Sequence, residues 1–253
     1  MKRVLIPILT ATVLLFMSSF VLCKKEYDNK KNIFKPYEIE MIFVEGGTFT
    51  MDNSVRVGTA GNSPTQQITL NDFYIGKFEI TQGQWIAVMG SNPSVFQKGD
   101  NYPVENVSWN DAQEFITKLN EITGKKFRLP TEEEWEYAAR GGAKSKGYEY
   151  SGSNNIDAVA WFEDNSGKST HPVGTKQSNE LGIYDMTGNV REWCSDQLHL
   201  QVPAQGIKFA HVRIIRGSSW TNANNCGGYS ESGFSPPEIR KNNVGFRLVH
   251  SVD

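Results

Sequence analysis

The sequence predicts an α+β domain with two main helices, short strands and long loops. Two observations lead to this class: well-capped helical segments lie in the middle of the chain, and short β-rich runs lie on either side of them. No repeat, low-complexity tract or internal linker interrupts residues 38–253. About 216 residues therefore form one domain, which is within the usual size range.

The domain begins with strands. Glu40–Asp52 is a β-rich run broken by two glycines, and Gln67–Thr81 mixes β-branched and aromatic positions around an Asn71-Asp72 turn signal. Residues 55–65 between these runs are predicted as a loop. Beyond residue 142 the chain is rich in Gly, Ser, Asn and Asp, and only short strand candidates remain. These candidates are Ala158–Phe162, Gly182–Met186, Val212–Arg216 and Val244–Val249.

Three helices are predicted between the two β-rich parts. Each begins at a Ser or Thr whose side chain can cap the first turn, and each ends at a glycine that can adopt a left-handed conformation. In the two longer helices an acidic residue three positions after the cap completes a capping box, and apolar residues recur at helical spacing. The caps and ends are Thr81 and Gly90, Ser108 and Gly124, and Thr131 and Gly141.

The N-terminus is typical of an exported, membrane-anchored protein. Residues 1–23 combine a basic start with an uncharged apolar stretch that ends at Cys23, which indicates a bacterial lipoprotein leader cleaved before Cys23 and acylated on it. An uncleaved anchor is the alternative, since twenty helical residues span about 30 Å. Residues 24–37 are Lys-rich and are interpreted as a tether. Either reading places the domain outside the cytoplasm, and we expect the cell surface.

Charge excludes one class of partner. Of the 26 Lys and Arg residues, seven lie in residues 1–37, which leaves 19 against 26 acidic residues in the domain. A net charge of about −7 is the wrong sign for a surface that neutralises phosphates along a strand, so nucleic acid is not expected as a partner. For Cys194 and Cys226, a disulfide and two buried thiols are both open alternatives.

Five ordered motifs resemble the formylglycine-generating enzyme, or sulfatase-modifying factor, family. Together they span nearly the whole domain, and the resemblance implies a C-type lectin-like fold of the formylglycine-generating type. Function does not follow from the scaffold alone. The motifs are FVEGGTFTM (43–51), PVENVSWNDAQEFITKLNEITGKKFRLPTEEEWEYAARGG (103–142), GIYDMTGNVREWCSD (182–196), RGSSW (216–220) and NVGFRLV (243–249).

The resemblance also implies what an active family oxidase needs. That chemistry uses copper held by two thiolates, and soft thiolate ligands suit Cu(I). The family pattern places the two cysteines at the second and seventh positions after the Trp of RGSSW, where this chain has Asn222 and Gly227. Cys226 lies one position before the second of these sites, and no second cysteine accompanies it there. We therefore expect no catalytic residue, no catalytic cofactor, no copper and no formylglycine-forming activity.

No other catalytic constellation replaces it. The four histidines lie far apart without metal-ligand spacing, and each is interpreted as a surface or structural histidine. The acidic run Glu132, Glu133, Glu134 and Glu136 is interpreted as the solvated first turn of a helix, where acidic groups favour the helix dipole. All six tryptophans are expected in the core.

A structural calcium ion is one implication of the family pattern in DMTGNVRE. The pattern suggests side-chain ligands from Asp185 and Glu192 and main-chain carbonyls from Gly188 and Val190. Oxygen ligands of this kind suit a hard cation. The alternative is that Asp185 makes a local turn and Glu192 pairs with an arginine such as Arg191 or Arg216.

The segment 221–243 has the composition of an adaptable binding loop. Asn, Ser and Gly fill almost half of it, and a few larger apolar groups are scattered among them. Exposed aromatic side chains tend to dominate interface energetics, so Tyr229 and Phe234 are the expected anchors. The expected ligand-binding residues are Thr221, Ala223, Gly227, Gly228, Tyr229, Ser230, Glu231, Ser232, Gly233, Phe234, Glu238 and Ile239.

A narrower resemblance links this segment to the variable proteins of diversity-generating retroelements. In those proteins adenine-containing codons are rewritten, and RGSSW followed by an Asn-rich stretch and RKNNVGFRL is similar to their C-terminal pattern. The sequence is accordingly interpreted as a surface-anchored binding protein whose diversified C-terminal loops recognise an external ligand, expected to be a protein. The alternatives are a formylglycine-generating oxidase acting on sulfatases and a structural envelope lipoprotein.

Overall fold

A computed structural model describes residues 38–52, 65–200, 210–223 and 231–252. All of these residues belong to one compact unit, Tyr37–Asp253. Within the described ranges no helix is long and apolar enough to cross a membrane. The leader, Cys23 and the tether of the sequence interpretation lie outside these ranges.

The domain contains four helices and nine strands among its described residues. The helices are α1 (Gln82–Met89), α2 (Trp109–Thr123), α3 (Glu132–Ala139) and α4 (Ile156–Val159). The strands are β1 (Met41–Val44), β2 (Gly47–Asp52), β3 (Thr65–Leu70), β4 (Phe73–Gly76), β5 (Arg191–Leu200), β6 (Ala210–Arg216), β7 (Ser232–Ser235), β8 (Val244–Gly245) and β9 (Val249–Ser251). The α+β class is confirmed.

Three sheets organise these strands. One has the order β1-β4-β9, a second pairs β2 with β3, and the third has the order β7-β6-β5-β8. All neighbours are antiparallel except β5 and β8, which are parallel. Within the described residues, strand β7 therefore forms one edge of the third sheet.

The predicted helix starts are confirmed at all three caps. The Ser108 hydroxyl accepts from the Asp111 amide at 3.1 Å, and the Asp111 carboxylate accepts from the Ser108 amide at 2.8 Å. Thr81 with Gln84, and Thr131 with Glu134, form the same reciprocal box. Each box satisfies two amides that a helix N-terminus leaves free.

Only two of the four strand candidates after residue 142 contribute to strands in the structure. Ala158–Phe162 is not a strand. Its first two residues belong to the short helix α4, which Asn155 caps. Gly182–Met186 is irregular, since Gly182 and Asp185 have φ values of 85° and 60° that a strand cannot accommodate. Val212–Arg216 lies within β6, and Val244–Val249 contributes to β8 and β9.

Two large apolar clusters fill the interior. One surrounds α1 and α2, where Trp85 stacks on Phe115 with ring centroids 5.2 Å apart and both rings contact Phe246. The other surrounds α3, with Trp135 at its centre. Trp85, Trp135 and Trp193 are buried as predicted, whereas Trp109, Trp161 and Trp220 are only half-buried.

The glycine pair in the first motif has a steric cause. A Cβ on Gly46 would lie 2.4 Å from the Leu70 carbonyl oxygen, and one on Gly47 would lie 2.5 Å from the Tyr137 hydroxyl. Both distances are below any normal contact. The two glycines therefore allow β2 to leave β1 and pass close to α3.

Candidate functional site: the C-terminal rim

The candidate site is the surface formed by residues 219–223 and 231–239, which we call the C-terminal rim. It follows β6 and contains β7, so its backbone is held by the third sheet. The register places Phe234 opposite Ile214 and Ser232 opposite Arg216. Sequence reasoning predicted this whole segment as loop and missed β7, because Ser-Gly-Phe-Ser has little of the β-branched signal that marks a strand.

Arg216 fixes the base of the rim to α3. Its guanidinium is buried and contacts Glu132 at 3.2 Å and also Glu136. The hydroxyl of Ser232 donates to the same Glu132 oxygen at 3.1 Å. The interpretation of Glu132 and Glu136 as a solvated helix end is therefore wrong: both side chains are only 3% exposed and are paired with an arginine.

A second buried arginine lies behind the rim. Arg247 is fully buried, and its Nε and Nη2 each donate to a different oxygen of Glu192 at 2.7 Å. The Trp135 indole donates to Glu192 at 2.7 Å as well. Bidentate pairs of this kind fix orientation, because two parallel hydrogen bonds hold the guanidinium plane.

Of the four groups expected to hold calcium, Glu192 belongs to this ion pair and Asp185 interacts electrostatically with Arg247. Asp185 is buried and accepts from the Gly174 amide at 2.7 Å, while the Gly188 and Val190 amides donate to Ser218 and Glu79. Both oxygens of Glu192 already accept hydrogen bonds, from Arg247 and Trp135. This is the turn-and-ion-pair alternative, with Arg247 in place of Arg191 or Arg216. Calcium binding itself stays a prediction that a melting experiment tests.

Glu79 belongs to the same cluster and was missed by sequence reasoning. Its carboxylate accepts from the Asn189 side chain at 2.7 Å and from the Val190 amide at 3.1 Å. Burial, followed by the nearby charge of Asp185, raises the pKa of Glu79 well above its usual value, and burial raises the pKa of Asp185 to about 6. No local pattern marks Glu79, because Asn189 lies 110 positions away.

The polar network at Asn222 occupies the place where the family pattern has its first copper-binding cysteine. The Asn222 amide oxygen accepts from the Ser219 hydroxyl at 2.8 Å, and its nitrogen donates to Glu231 at 2.9 Å. The Ser219 hydroxyl also accepts from Asn243 at 3.2 Å. Asn222 therefore closes the loop between β6 and β7. The second cysteine position, Gly227, lies outside the described residues, as does Cys226.

Trp220 forms the inner wall of the rim. Its indole donates to the Asn242 carbonyl at 3.1 Å, and its ring meets the edge of Phe96 with centroids 5.2 Å apart. Phe96 lies in a loop, and its backbone amide donates to the buried Glu105 carboxylate at 2.8 Å. Cys194 is a buried free thiol within β5, and burial raises its pKa well above the usual value, so it has little thiolate character.

The structure exposes most of the predicted binding residues that it describes. Thr221, Ala223 and Glu238 are exposed, and Phe234 and Ile239 are exposed by 46% and 39% although both are large and apolar. Glu231, Ser232 and Gly233 are half-buried. The predicted residues Gly227, Gly228, Tyr229 and Ser230 lie outside the described ranges. Phe234 and Ile239 are thus the described anchors.

The chain is similar in sequence to proteins of one family. A family profile described as "Sulfatase-modifying factor enzyme 1-like domain" matches residues 29–252. "Chaperone protein LppX" of Paenibacillus barcinonensis is 36% identical over 84% of this chain and 89% of that protein. "Formylglycine-generating enzyme" of Streptomyces coelicolor is 33% identical over 60% of this chain, which spans about half of that enzyme (54%).

A solved structure is similar across the whole domain. "Treponema denticola variable protein 1" superposes with a TM-score of 0.71 at 28% identity, over 84% of this chain and 95% of the other. This similarity confirms the C-type lectin-like fold of the formylglycine-generating type.

Proposed function

The chain belongs to the sulfatase-modifying factor enzyme 1-like family, and we propose that it is a binding member: an exported, membrane-anchored protein whose C-terminal rim recognises an external protein ligand. The leader of residues 1–23 supports export and anchoring. The similarity to a variable protein, with a TM-score of 0.71, supports ligand recognition through variable positions of the rim.

One observation carries the proposal. Phe234 and Ile239 expose apolar side chains on a segment whose backbone is already ordered. Phe234 lies in β7, and the turn that carries Ile239 is held by Arg240, which binds both oxygens of Asp111 at 2.7 Å. An exposed apolar anchor on an ordered backbone binds with a small loss of conformational entropy, which is the property of a preorganised binding surface.

Selection of binders tests this assignment. The full chain is used to select from a phage-displayed library of folded domains, and each binder is retested on a variant with Phe234→Ala and Ile239→Ala. Loss of two anchors should weaken binding at least about tenfold. The control replaces Ile86 in α1 and Ile122 in α2, which are exposed by 38% and 50%, with Ala. Binders that lose affinity only for the control would contradict the proposal.

The gene supplies an independent test of the variable part of the proposal. We expect a near-copy of the codons for residues 213–249 in the flanking DNA, differing at adenines and lying beside a reverse transcriptase gene. Flanking DNA without such a copy would leave a binding protein with a fixed rim.

We propose further that the chain does not oxidise sulfatase cysteines. Asn222 stands where the family pattern requires a thiolate, and its side chain is engaged with Ser219 and Glu231. Copper-loaded protein should leave a sulfatase peptide unmodified, as judged by mass spectrometry. Formylglycine in that peptide would contradict this proposal and support the alternative that the chain is a formylglycine-generating oxidase.

A chaperone is the second candidate function, because one relative named as a chaperone protein is 36% identical over most of both chains. The ligand of the rim would then be a polypeptide that has not finished folding. The protein should suppress light scattering by a diluted, chemically unfolded protein, and Phe234→Ala should reduce that effect while Ile122→Ala should not.

A further inference from the structure

A basic cavity lies at the end of α2 that is remote from the rim. It has a volume of about 560 Å³ and is lined by Gly124, Lys125, Lys126, Arg128, His250 and Ser251. Three permanent cations on one small surface are unusual here, because the domain as a whole carries more acidic than basic residues.

Two of these cations form no ion pair within the described part of the chain. Lys125 and Lys126 are exposed, and no described residue forms an ion pair with either. Arg128 differs, because both of its terminal nitrogens bind Glu134 at 2.6 Å. Arg128 thus shapes the wall, while the two lysines supply net positive charge.

The cavity has an ordered aromatic side. His250 stacks on Tyr74 with centroids 4.7 Å apart and meets the edge of Phe127 at 5.8 Å. The Lys125 ammonium lies 5.5 Å from the Phe127 ring centre. The Phe127 ring thus lies beside the Lys125 side chain, which suits a ligand with a negative head and an apolar neighbour.

The position of the cavity relative to the rim sets its orientation. The rim contacts the first turn of α2, where Asn110 donates to Pro237 at 3.3 Å and Arg240 binds Asp111. Gly124 caps the other end of the same helix, about 22 Å away for a helix of 15 residues. The rim contact and the cavity therefore lie at opposite ends of α2.

The first described strand of the domain lies in the same sheet as His250 of the cavity. His250 pairs with Tyr74 in β4, and Tyr74 pairs with Phe43 in β1, the first strand of the domain. Neighbouring strands are about 4.8 Å apart, so β1 lies about 10 Å from β9. Phe43 is 47% exposed in the same row and contacts Tyr74.

We propose that this cavity binds the phosphate headgroup of an anionic phospholipid and orients the domain on its membrane with the rim outward. The inference rests on the anchoring part of the proposed function. Lys125 and Lys126 would contact the phosphate, and the exposed ring of Phe43 would lie at the headgroup level, where aromatic side chains partition.

Hydrogen exchange of the full chain tests the proposal. The chain is mixed with vesicles of phosphatidylcholine alone or of phosphatidylcholine with phosphatidylglycerol, and exchange is followed at residues 123–128 and 249–252. We expect protection of these amides only with phosphatidylglycerol. Lys125→Gln with Lys126→Gln should weaken the affinity for these vesicles about thirtyfold, since each lysine near an anionic surface contributes about a factor of five.

The matched control changes the same charge elsewhere. Lys144→Gln with Lys146→Gln removes two exposed lysines outside the cavity and should leave the protection unchanged. A membrane-anchored chain that shows no difference between the two vesicle types at residues 123–128 would overturn the proposal. Protection by inorganic phosphate but not by phosphatidylglycerol vesicles would also overturn it, in favour of a free anion.

Failure of the anchoring proposal is distinguishable from failure of this one. A chain that floats with neither vesicle type in a density gradient is not anchored and does not bind the headgroup, which overturns both. A chain that floats with both types is anchored, and the headgroup site alone is then overturned if exchange at residues 123–128 is the same with both vesicle types.

Discussion

Replacement of Glu105 by Gln should stabilise the protein at alkaline pH and not at acidic pH. The Glu105 side chain is fully buried, one of its oxygens accepts from the Phe96 amide, and the other has no hydrogen-bond partner. Burial raises the pKa of this carboxyl group to about 7 from a usual value of 4.5. No charged side chain contributes to that shift.

The magnitude follows from linkage. Because the folded pKa lies above the unfolded one, folding is favoured by proton uptake, so stability is complete below pH 4.5 and is lost as the pH rises to about 7. A shift from 4.5 to about 7 corresponds to about 3 kcal/mol of lost stability above pH 7. The amide avoids this loss but buries an unpaired donor, so we expect a net gain of about 1–2 kcal/mol at pH 8.

Urea unfolding at several pH values measures the effect as a difference between Glu105→Gln and the parent. The difference removes the contributions of all other titrating groups. It should rise between pH 4.5 and about 7 and then stay level. The control Glu114→Gln, at a surface ion pair with Lys118, should give a difference within about 0.5 kcal/mol at every pH. A difference for Glu105→Gln that does not depend on pH would refute the reasoning.

Three further changes probe the scaffold. Arg247→Leu leaves the Glu192 carboxylate buried without its cation and should cost about 3–5 kcal/mol in urea unfolding, whereas an effect below about 1 kcal/mol would show that the pair is not buried. Gly47→Ala places a methyl group 2.5 Å from the Tyr137 hydroxyl and should lower the free energy of unfolding by about 1–3 kcal/mol. Bound calcium at Asp185 and Glu192 would raise the melting temperature and chelator would reverse it; the contacts of Glu192 favour an unchanged melting temperature.

Local signals predicted the local structure well. The capping boxes at Ser108 and Thr131 were readable because each depends on two residues three positions apart. The misreading of Glu132 and Glu136 has the opposite cause. Their partner Arg216 lies 84 and 80 positions along the chain, so a local dipole argument accounted for the acidic run without it.

The rim shows the same limit in another form. Its composition predicted exposure, which the structure shows for Phe234 and Ile239. Composition could not predict that Ser232 to Ser235 pair with β6, because a strand with two serines and a glycine depends on its neighbour for order. Phe96 was also missed, since only tertiary packing brings it to Trp220.

The two buried arginines explain how a rim of this composition can remain ordered while its exposed positions differ. Arg216 ties β6 to α3, and Arg247 ties the C-terminal part of the chain to β5 through Glu192. Neither contact uses the exposed side chains of Phe234 or Ile239, so replacing those two residues removes little of the energy that holds the backbone. Substitutions at Phe234 should therefore change ligand affinity with less than about 1 kcal/mol change in stability, while Arg216→Leu should cost several kcal/mol. Equal losses of stability in the two variants, measured by urea unfolding, would show that the rim and its scaffold are one energetic unit.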